Sequence, residues 1–570
     1  MNNVQTKSKQ IILDSFDGVD LRSTHKNQKG SADIVNFRVL SDGSLEKREG
    51  YRKVVSLGEG VRAVWSGRRN GEDTCYAVAG NRVVRLFADG TYTSIGTLSS
   101  QDGEVSFFFY RGHLYVIDGI SIFSVEDSAL TVPEGYVPLV GKNWTTGEVG
   151  EINEPRNLLS NRARFSYLLG EEFSSVLFVD DTIASVDAIY INGKPIDLNR
   201  HSMLSNKRSF TVSGMSSHDS VMVYVTYASS DERLAELLRN THAVVFGGAN
   251  SSRPLLWGDP QRPSVIYSAG YVSEQDLYEC QRVYPLSDSL YFPAGYEFSV
   301  GDGQYSVRAV SRHYDRLLIF TEGGAWMANG PDNGTSAFPV MNINSSVGVI
   351  SKDAAVALEN QPCTVGEKGI FRWNSDTDEL NDCNAYCISN PISQLLDDSF
   401  YKNGRVFADR WRGELMFTCP DWGNGDVWIY SSSTGKWVRF EGIWADGMFE
   451  FFGNIAFFRS GDIFVFDKEC ADDDGTPIKA VFSSAVMNFG SDSYKKLFGV
   501  GLTFEGGDVT AQIYFDGEAS SELTVDFKGD AKHRETFKRK ASRRFKNMRV
   551  SLIADGASRQ TVHSLYAKAR

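Results

Sequence analysis

The chain has 570 residues, 41% of them apolar and 23% charged, with a formal net charge of −13. That balance excludes a disordered chain and a surface that clamps nucleic acid throughout. Seven cysteines are too few for a disulfide scaffold, no run of eighteen apolar residues offers a membrane-spanning segment, and the polar start MNNVQTKSKQ shows no secretory signal.

Glycine (53), phenylalanine (36) and tyrosine (24) are abundant, which favours short strands and tight turns over helices. Residues 1–60 read as an N-terminal arm followed by strands that close a ring against the last repeat. Residues 61–96 hold VRAVWS, TCYAVAG, RVVRLF and TYTSIG, a four-strand meander, and EVSFFFY, HLYVID and SIFSV follow over 104–125. Residues 145–240 break the rhythm. They read as a β-sandwich inserted into the repeats, with a hairpin at INGKPID turned by Asn192-Gly193 and a polar turn at MSSHDS around His218 and Asp219. Helical periodicity is confined to DERLAELLRN (231–240), with Leu234, Leu237 and Leu238 on one face, and to ISQLLDD (392–398). Region 242–290 supplies a further strand unit, and the four-strand scheme resumes over 305–343, 349–374, 405–442 and 448–467. From 475 to 570, alternating segments such as VTAQIYFDG and ELTVDFKG predict a second sandwich.

Units of about 40–45 residues with four short strands each are the signature of propeller blades. One such meander cannot bury both faces alone, whereas sheets stacked around an axis cover one another and leave only short edges. The expected fold is therefore all-β: a β-propeller of six to seven blades (61–144 and 241–472), an inserted β-sandwich (145–240) and a C-terminal β-sandwich or jelly-roll (473–570). Tyr430, Thr434 and Trp437 stand at a kelch-like spacing that places the Trp between blades and a Thr-Gly turn between two strands.

Catalytic signals are sparse. GDGQYS (301–306) and FGGANSS (246–252) lack the Lys and the strand-to-helix setting of a phosphate loop. No HExxH occurs, and the eight histidines are isolated. Asn374, Asp376 and Asp378 begin like a calcium loop, but Glu379 and Ala385 occupy the positions that need Gly and Glu. ADDDG (471–475) reads as a solvated linker. No catalytic, cofactor-binding or metal-ligating residue is assigned, and a carboxylate pair assembled only by folding stays open. Charge is more informative. Residues 528–549 carry +8 within a chain of −13, which leaves −21 for the rest. Lys538, Arg539, Lys540, Arg543, Arg544, Lys546 and Arg549 thus form a candidate docking patch for an acidic surface or for DNA phosphates, set against the alternative of a solvated protective edge strand.

The succession of motifs resembles a known family. ILDSFDGVDLRST and SADIVNFRVLSDGSLEKREGY carry it through Phe16, Asp17, Gly18, Asn36, Phe37, Gly43, Leu45, Arg48 and Gly50, with Val19 in place of a second glycine. RLLIFTEGGAWMANG, then INSSVGVISKDAAVALENQPCTVGEKGIFRWN, ISNPISQLL, GELMFTCP and WIYSSSTGKWVRF continue in order over most of residues 10–470. The chain resembles the tail nozzle and packaged-DNA stabilisation proteins of short-tailed phages. The resemblance implies a structural virion protein, not an enzyme, needing no cofactor. It implies a homo-oligomeric, hexameric ring below the portal and adaptor, assembled in the host cytoplasm, which retains packaged DNA and conducts it on ejection by steric gating. An acidic lumen suits a channel along which DNA slides. The alternatives are a carbohydrate-binding or glycan-cleaving propeller, motivated by the aromatics and acidic loops, and a receptor-binding tail-tip protein.

Overall fold

The computed structural model describes residues 9–23, 31–247, 252–329, 338–374, 383–520, 523–529, 533–537 and 544–570. Strand dominates throughout. Among these residues, seven antiparallel four-strand arrays succeed one another. Sheet I comprises Val61–Arg69, Glu72–Ala79, Arg82–Leu86 and Tyr92–Thr97. Sheet II comprises Ser106–Tyr110, His113–Ile117, Ile122–Val125 and Leu130–Thr131. Sheet III comprises His242–Phe246, Arg253–Trp257, Val265–Ser268 and Glu297–Ser299. Sheet IV comprises Val307–His313, Arg316–Thr321, Ala325–Asn329 and Val340–Asn344. Sheet V comprises Ala355–Leu358, Gln361–Gly366, Gly369–Trp373 and Ala385–Cys387. Sheet VI comprises Arg405–Asp409, Glu414–Thr418, Val427–Ser431 and Trp437–Phe440. Sheet VII has only three local strands, Gly447–Phe451, Asn454–Arg459 and Asp462–Asp467, and takes its fourth from Gly50–Ser56.

The sheets form a closed cycle. The first strand of I touches those of II and VII, II touches III, and IV, V, VI and VII follow in turn. Sheets III and IV share an apolar core containing Leu255, Trp257, Leu317 and Ile319. This is a β-propeller arrangement, and it explains the sequence pattern. Second strands are covered on both faces, so Cys75–Ala79 and Leu317–Phe320 are continuous buried runs rather than alternating ones.

The other sheets lie outside this cycle. Leu139–Trp144, Arg162–Leu168, Ser220–Tyr227, Ile183–Ile191 and Lys194–Pro195 form one sheet, and Val176–Phe178, Ser209–Val212 and His201–Met203 form another. They share a core containing Val140, Phe165, Ile189, Phe210 and Val223. The hairpin at Asn192-Gly193 is present, with φ of 49° and 75° in the left-handed region that the tight reversal requires. At the C-terminal side, Ala480–Ser484, Met548–Ala554, Val509–Phe515 and Leu523–Phe527 extend sheet VI through Ser31–Val35. Facing them are Gln560–Ala569, Leu497–Gly506 and His533–Phe537, joined by Lys9–Leu13, Phe37–Val39 and Leu45–Lys47.

Several expectations change in detail. Of the N-terminal strands, Gly50–Ser56 closes sheet VII as expected, whereas Lys9–Leu13, Ser31–Val35, Phe37–Val39 and Leu45–Lys47 join the C-terminal sheets instead. The helix in 231–240 shortens to Leu234–Leu238, with Leu237 buried, and 392–398 forms only a 3₁₀ turn at Ser393–Leu395. A helix at Glu274–Gln281 was not expected. Its local signal is Ser273, whose hydroxyl caps the Asp276 amide at 3.1 Å while the Asp276 carboxylate accepts from that hydroxyl. ADDDG is no linker either, since Asp472–Asp473 forms a strand pair with Thr476–Pro477.

Candidate functional site

The motif residues behind the family resemblance converge on one joint between the N-terminal segment, sheets VI and VII and the C-terminal sheets. Asn36 holds a left-handed backbone (φ 55°). Its Oδ1 accepts from Arg48 Nε at 2.8 Å and from the Glu441 amide at 2.9 Å, while its Nδ2 donates to Lys479 O at 2.8 Å. Arg48 is 1% exposed. It forks onto Asp473 at 2.8 and 2.5 Å and donates to the carbonyls of Glu49 and Glu441 at 3.0 Å each. Burial pushes the Asp473 carboxyl up, and Arg48 opposes that shift. Arg38 pairs with Glu414 and Glu49, and Arg412 reaches Glu49 at 2.7 Å. Burial works to raise the Glu49 carboxyl, but Arg38 and Arg412 win and hold it down at about 2. The Arg38 and Arg48 guanidinium groups both stand over the Phe440 ring, 4.8 and 5.5 Å from its centroid.

The remaining motif positions are steric. Phe16 packs edge-on against Phe482 at 4.9 Å, and Phe37 and Leu45 are fully buried. A Cβ on Gly18 would sit 2.6 Å from the Trp437 nitrogen, and one on Gly50 would sit 1.8 Å from the Asp472 carbonyl oxygen. Val19, the departure from the family pattern, fits without a glycine, buried and bonded through its amide to Trp437 O at 2.8 Å. Trp437 itself packs on Tyr430 (5.0 Å) and Phe417 (5.4 Å) and donates its indole N–H to Ile388 O at 2.9 Å. It therefore links sheets V and VI, as its kelch-like spacing suggests. These motif positions build architecture.

Of the candidate docking patch, Lys538, Arg539, Lys540 and Arg543 lie outside the described residues, as do Asp376 and Asp378 of the calcium-like loop. Arg544 is exposed. Lys546 Nζ stands 5.0 Å over the Tyr494 ring and the Arg549 guanidinium 4.7 Å over Tyr514. Among the described residues these three cations pair with aromatic faces or solvent and with no carboxylate. No group of three potential metal ligands occurs among the described residues.

One concave feature lies elsewhere. A cavity of about 380 Å³ lies at the axis, where the first strands of the sheets meet. Its walls include Ala63, Phe107, Val310, Ala355, Phe407 and Met448. Charge gathers at the ends where those strands begin, with Arg62, His242, Lys352, Asp353 and Arg405 all lining the cavity. Arg62 is a clasp. Its five donors meet the carbonyls of Gly80, Ser100, Asp102 and Gly103 and the Ser100 hydroxyl. His242 Nε2 lies 2.8 Å from Glu104, and that hydrogen bond, with Lys352 and Arg308 nearby, pulls the Glu104 carboxyl down to about 2. Arg405 stands 4.0 Å from Asp353 and donates to Asp446 O, and Lys352 donates to Val105 O at 3.3 Å, its one hydrogen bond among the described residues. Trp257, directly across the strand pair from His242, is 5% exposed, and its buried indole N–H has no acceptor among the described residues. None of these positions was legible in the sequence, because they are spread over sheets I, II, III, V and VI. Trp257 apart, their common signal is position at or near the start of a first strand.

No family model matches the chain, and no curated protein matches it. Among solved structures, it is similar to virginiamycin B lyase from Staphylococcus aureus, at 8% identity and TM-score 0.35 over 71% of this chain and 94% of that one. It is also similar to YCF48 bound to D1 peptide, at 11% identity and TM-score 0.34 over 72% of this chain and 93% of that one. Likeness at this level carries no argument about activity.

Proposed function

We propose that the chain is a structural virion protein, the subunit of a tail nozzle or head–tail connector whose ring retains packaged DNA and conducts it on ejection. In this reading the propeller has seven blades, sheet VII being closed by Gly50–Ser56. The sheets around Phe165 and Phe210 form the inserted sandwich, and those around Phe504 and Val550 the C-terminal one. The observation that carries the reading is the ordered succession of family-like motifs over residues 10–470, and the position of its N-terminal part supports it. Residues Phe16 to Gly50 serve as the bolt that ties propeller to C-terminal sheets, the role expected of a segment kept for assembly rather than chemistry.

The partners are other copies of the chain, a portal or adaptor, and transiently the DNA backbone. The cationic Arg544, Lys546 and Arg549 supply one docking edge for an acidic neighbour.

Reconstruction of virions containing the protein tests the proposal. A closed ring of copies between capsid and tail tip supports it. Density confined to a distal fibre or tip, or a strictly monomeric protein at high concentration and in particles, overturns it.

A further inference from the structure

We propose that the axial cavity is a binding site for a small oxyanion, a phosphate or carboxylate group, held by Lys352 and Arg405. This goes beyond the structural role above and does not depend on it. Two observations carry it. The first is size: about 380 Å³ lies within the range of small-ligand pockets and is far too small for a DNA duplex.

The second is an imbalance of donors over acceptors. Arg62, Lys352 and Arg405 face the cavity, against the single lining carboxylate of Asp353 and that of Glu104 behind His242. Arg62 is saturated by its own loops, so it contributes field but no free donor. Lys352 has one long bond to a carbonyl, and Arg405 Nη2 makes no hydrogen bond among the described residues. Both side chains retain donors to offer.

Trp257 lines the same cavity with its ring, while its indole nitrogen is buried out of reach of the cavity's contents. A water molecule accepts and donates alike. A site that offers an ammonium and a guanidinium, and keeps its carboxylates occupied, is matched better by a group that only accepts and carries charge. Free phosphate and a carboxylate on a larger molecule share that chemistry.

Isothermal titration of the full chain with inorganic phosphate and, separately, with succinate tests the site. Saturable one-to-one binding of at least one is expected, weakened about tenfold or more by Lys352→Met and by Arg405→Met. Lys194→Ala on the distant hairpin leaves it unchanged. The ring of Trp257 lines the cavity, so its indole ¹H–¹⁵N resonance, assigned by its loss in Trp257→Phe, shifts on titration of the wild-type protein, which reads the site without relying on the charge variants folding. Absence of saturable binding of both anions overturns the proposal, as does binding that Lys352→Met and Arg405→Met leave unaltered. Preference for phosphate or for succinate identifies which source of the oxyanion the cavity takes.

Discussion

Replacing Arg48 with methionine tests whether the joint between propeller and C-terminal sheets is held by a buried ion pair. Arg48 is 1% exposed and donates to Asn36, Asp473 and the carbonyls of Glu49 and Glu441. Methionine fills much of the same volume but leaves Asp473 without its counter-charge in a site where burial already raises its carboxyl. Breaking a buried pair from one side costs about 3–5 kcal/mol, so local opening at the joint rises on the order of 10²- to 10³-fold. A chain of several cooperating units does not unfold in two states, so the appropriate readout is amide hydrogen exchange of Gly50–Ser56 and Asp472–Pro477. The sign with pH follows from the direction of the Asp473 shift. Its folded-state pKa lies above the unfolded value and rises further without Arg48, so the penalty is full at neutral pH and fades as acid protonates the carboxyl. Arg48→Met with Asp473→Leu removes both charges and recovers a large part of the loss. Exchange that accelerates less than about tenfold in the single variant, or a double variant no better protected than the single, refutes the reasoning.

Three further outcomes follow from other contacts. Gly50→Ala, whose Cβ would stand 1.8 Å from the Asp472 carbonyl oxygen, destabilises by about 1–3 kcal/mol or more, seen as a lower melting temperature by calorimetry. Trp437→Phe leaves the Ile388 carbonyl without its donor and loses ring volume between sheets V and VI, at a cost of about 2–4 kcal/mol in melting experiments. Burial raises the Asp288 carboxyl to about 6, against the Leu290 amide that hydrogen-bonds it. Its folded pKa therefore exceeds its unfolded one, wild-type stability falls by up to about 3 kcal/mol as pH rises from about 4 to 6, and Asp288→Asn flattens that slope in calorimetric scans.

The propeller was legible in the sequence because its second strands are covered on both sides. Runs such as TCYAVAG and RLLIFT are uninterrupted by polar residues for that reason, and glycine and asparagine mark their ends. Sheet III was harder to see. Its fourth strand, Glu297–Ser299, comes after the helix Glu274–Gln281, which buries only Cys280 and so shows no apolar stripe to declare itself. The joint was legible as a motif but not as an ion pair, since Arg48 and Asp473 are 425 residues apart. The axial cavity was invisible for a stronger version of the same reason. His242, Lys352 and Arg405 carry no local pattern, and only closure of the ring brings them together.

The strand Gly50–Ser56 pairs with Asp462–Asp467, and Lys9–Leu13 with Gln560–Ala569. These pairings impose an order on folding. Sheets I to VI draw their own strands from nearby sequence, so they can form as the chain emerges, whereas sheet VII stays one strand short until residue 467 has been made. Such long-range pairings form late and slowly, and until they do an unpaired edge and its apolar face remain exposed. The ring thus acts as a completeness check on its own synthesis. A chain cut short before residue 462 retains most of its blades but has no latch, and would be removed by aggregation or proteolysis before it could occupy a place in an assembly.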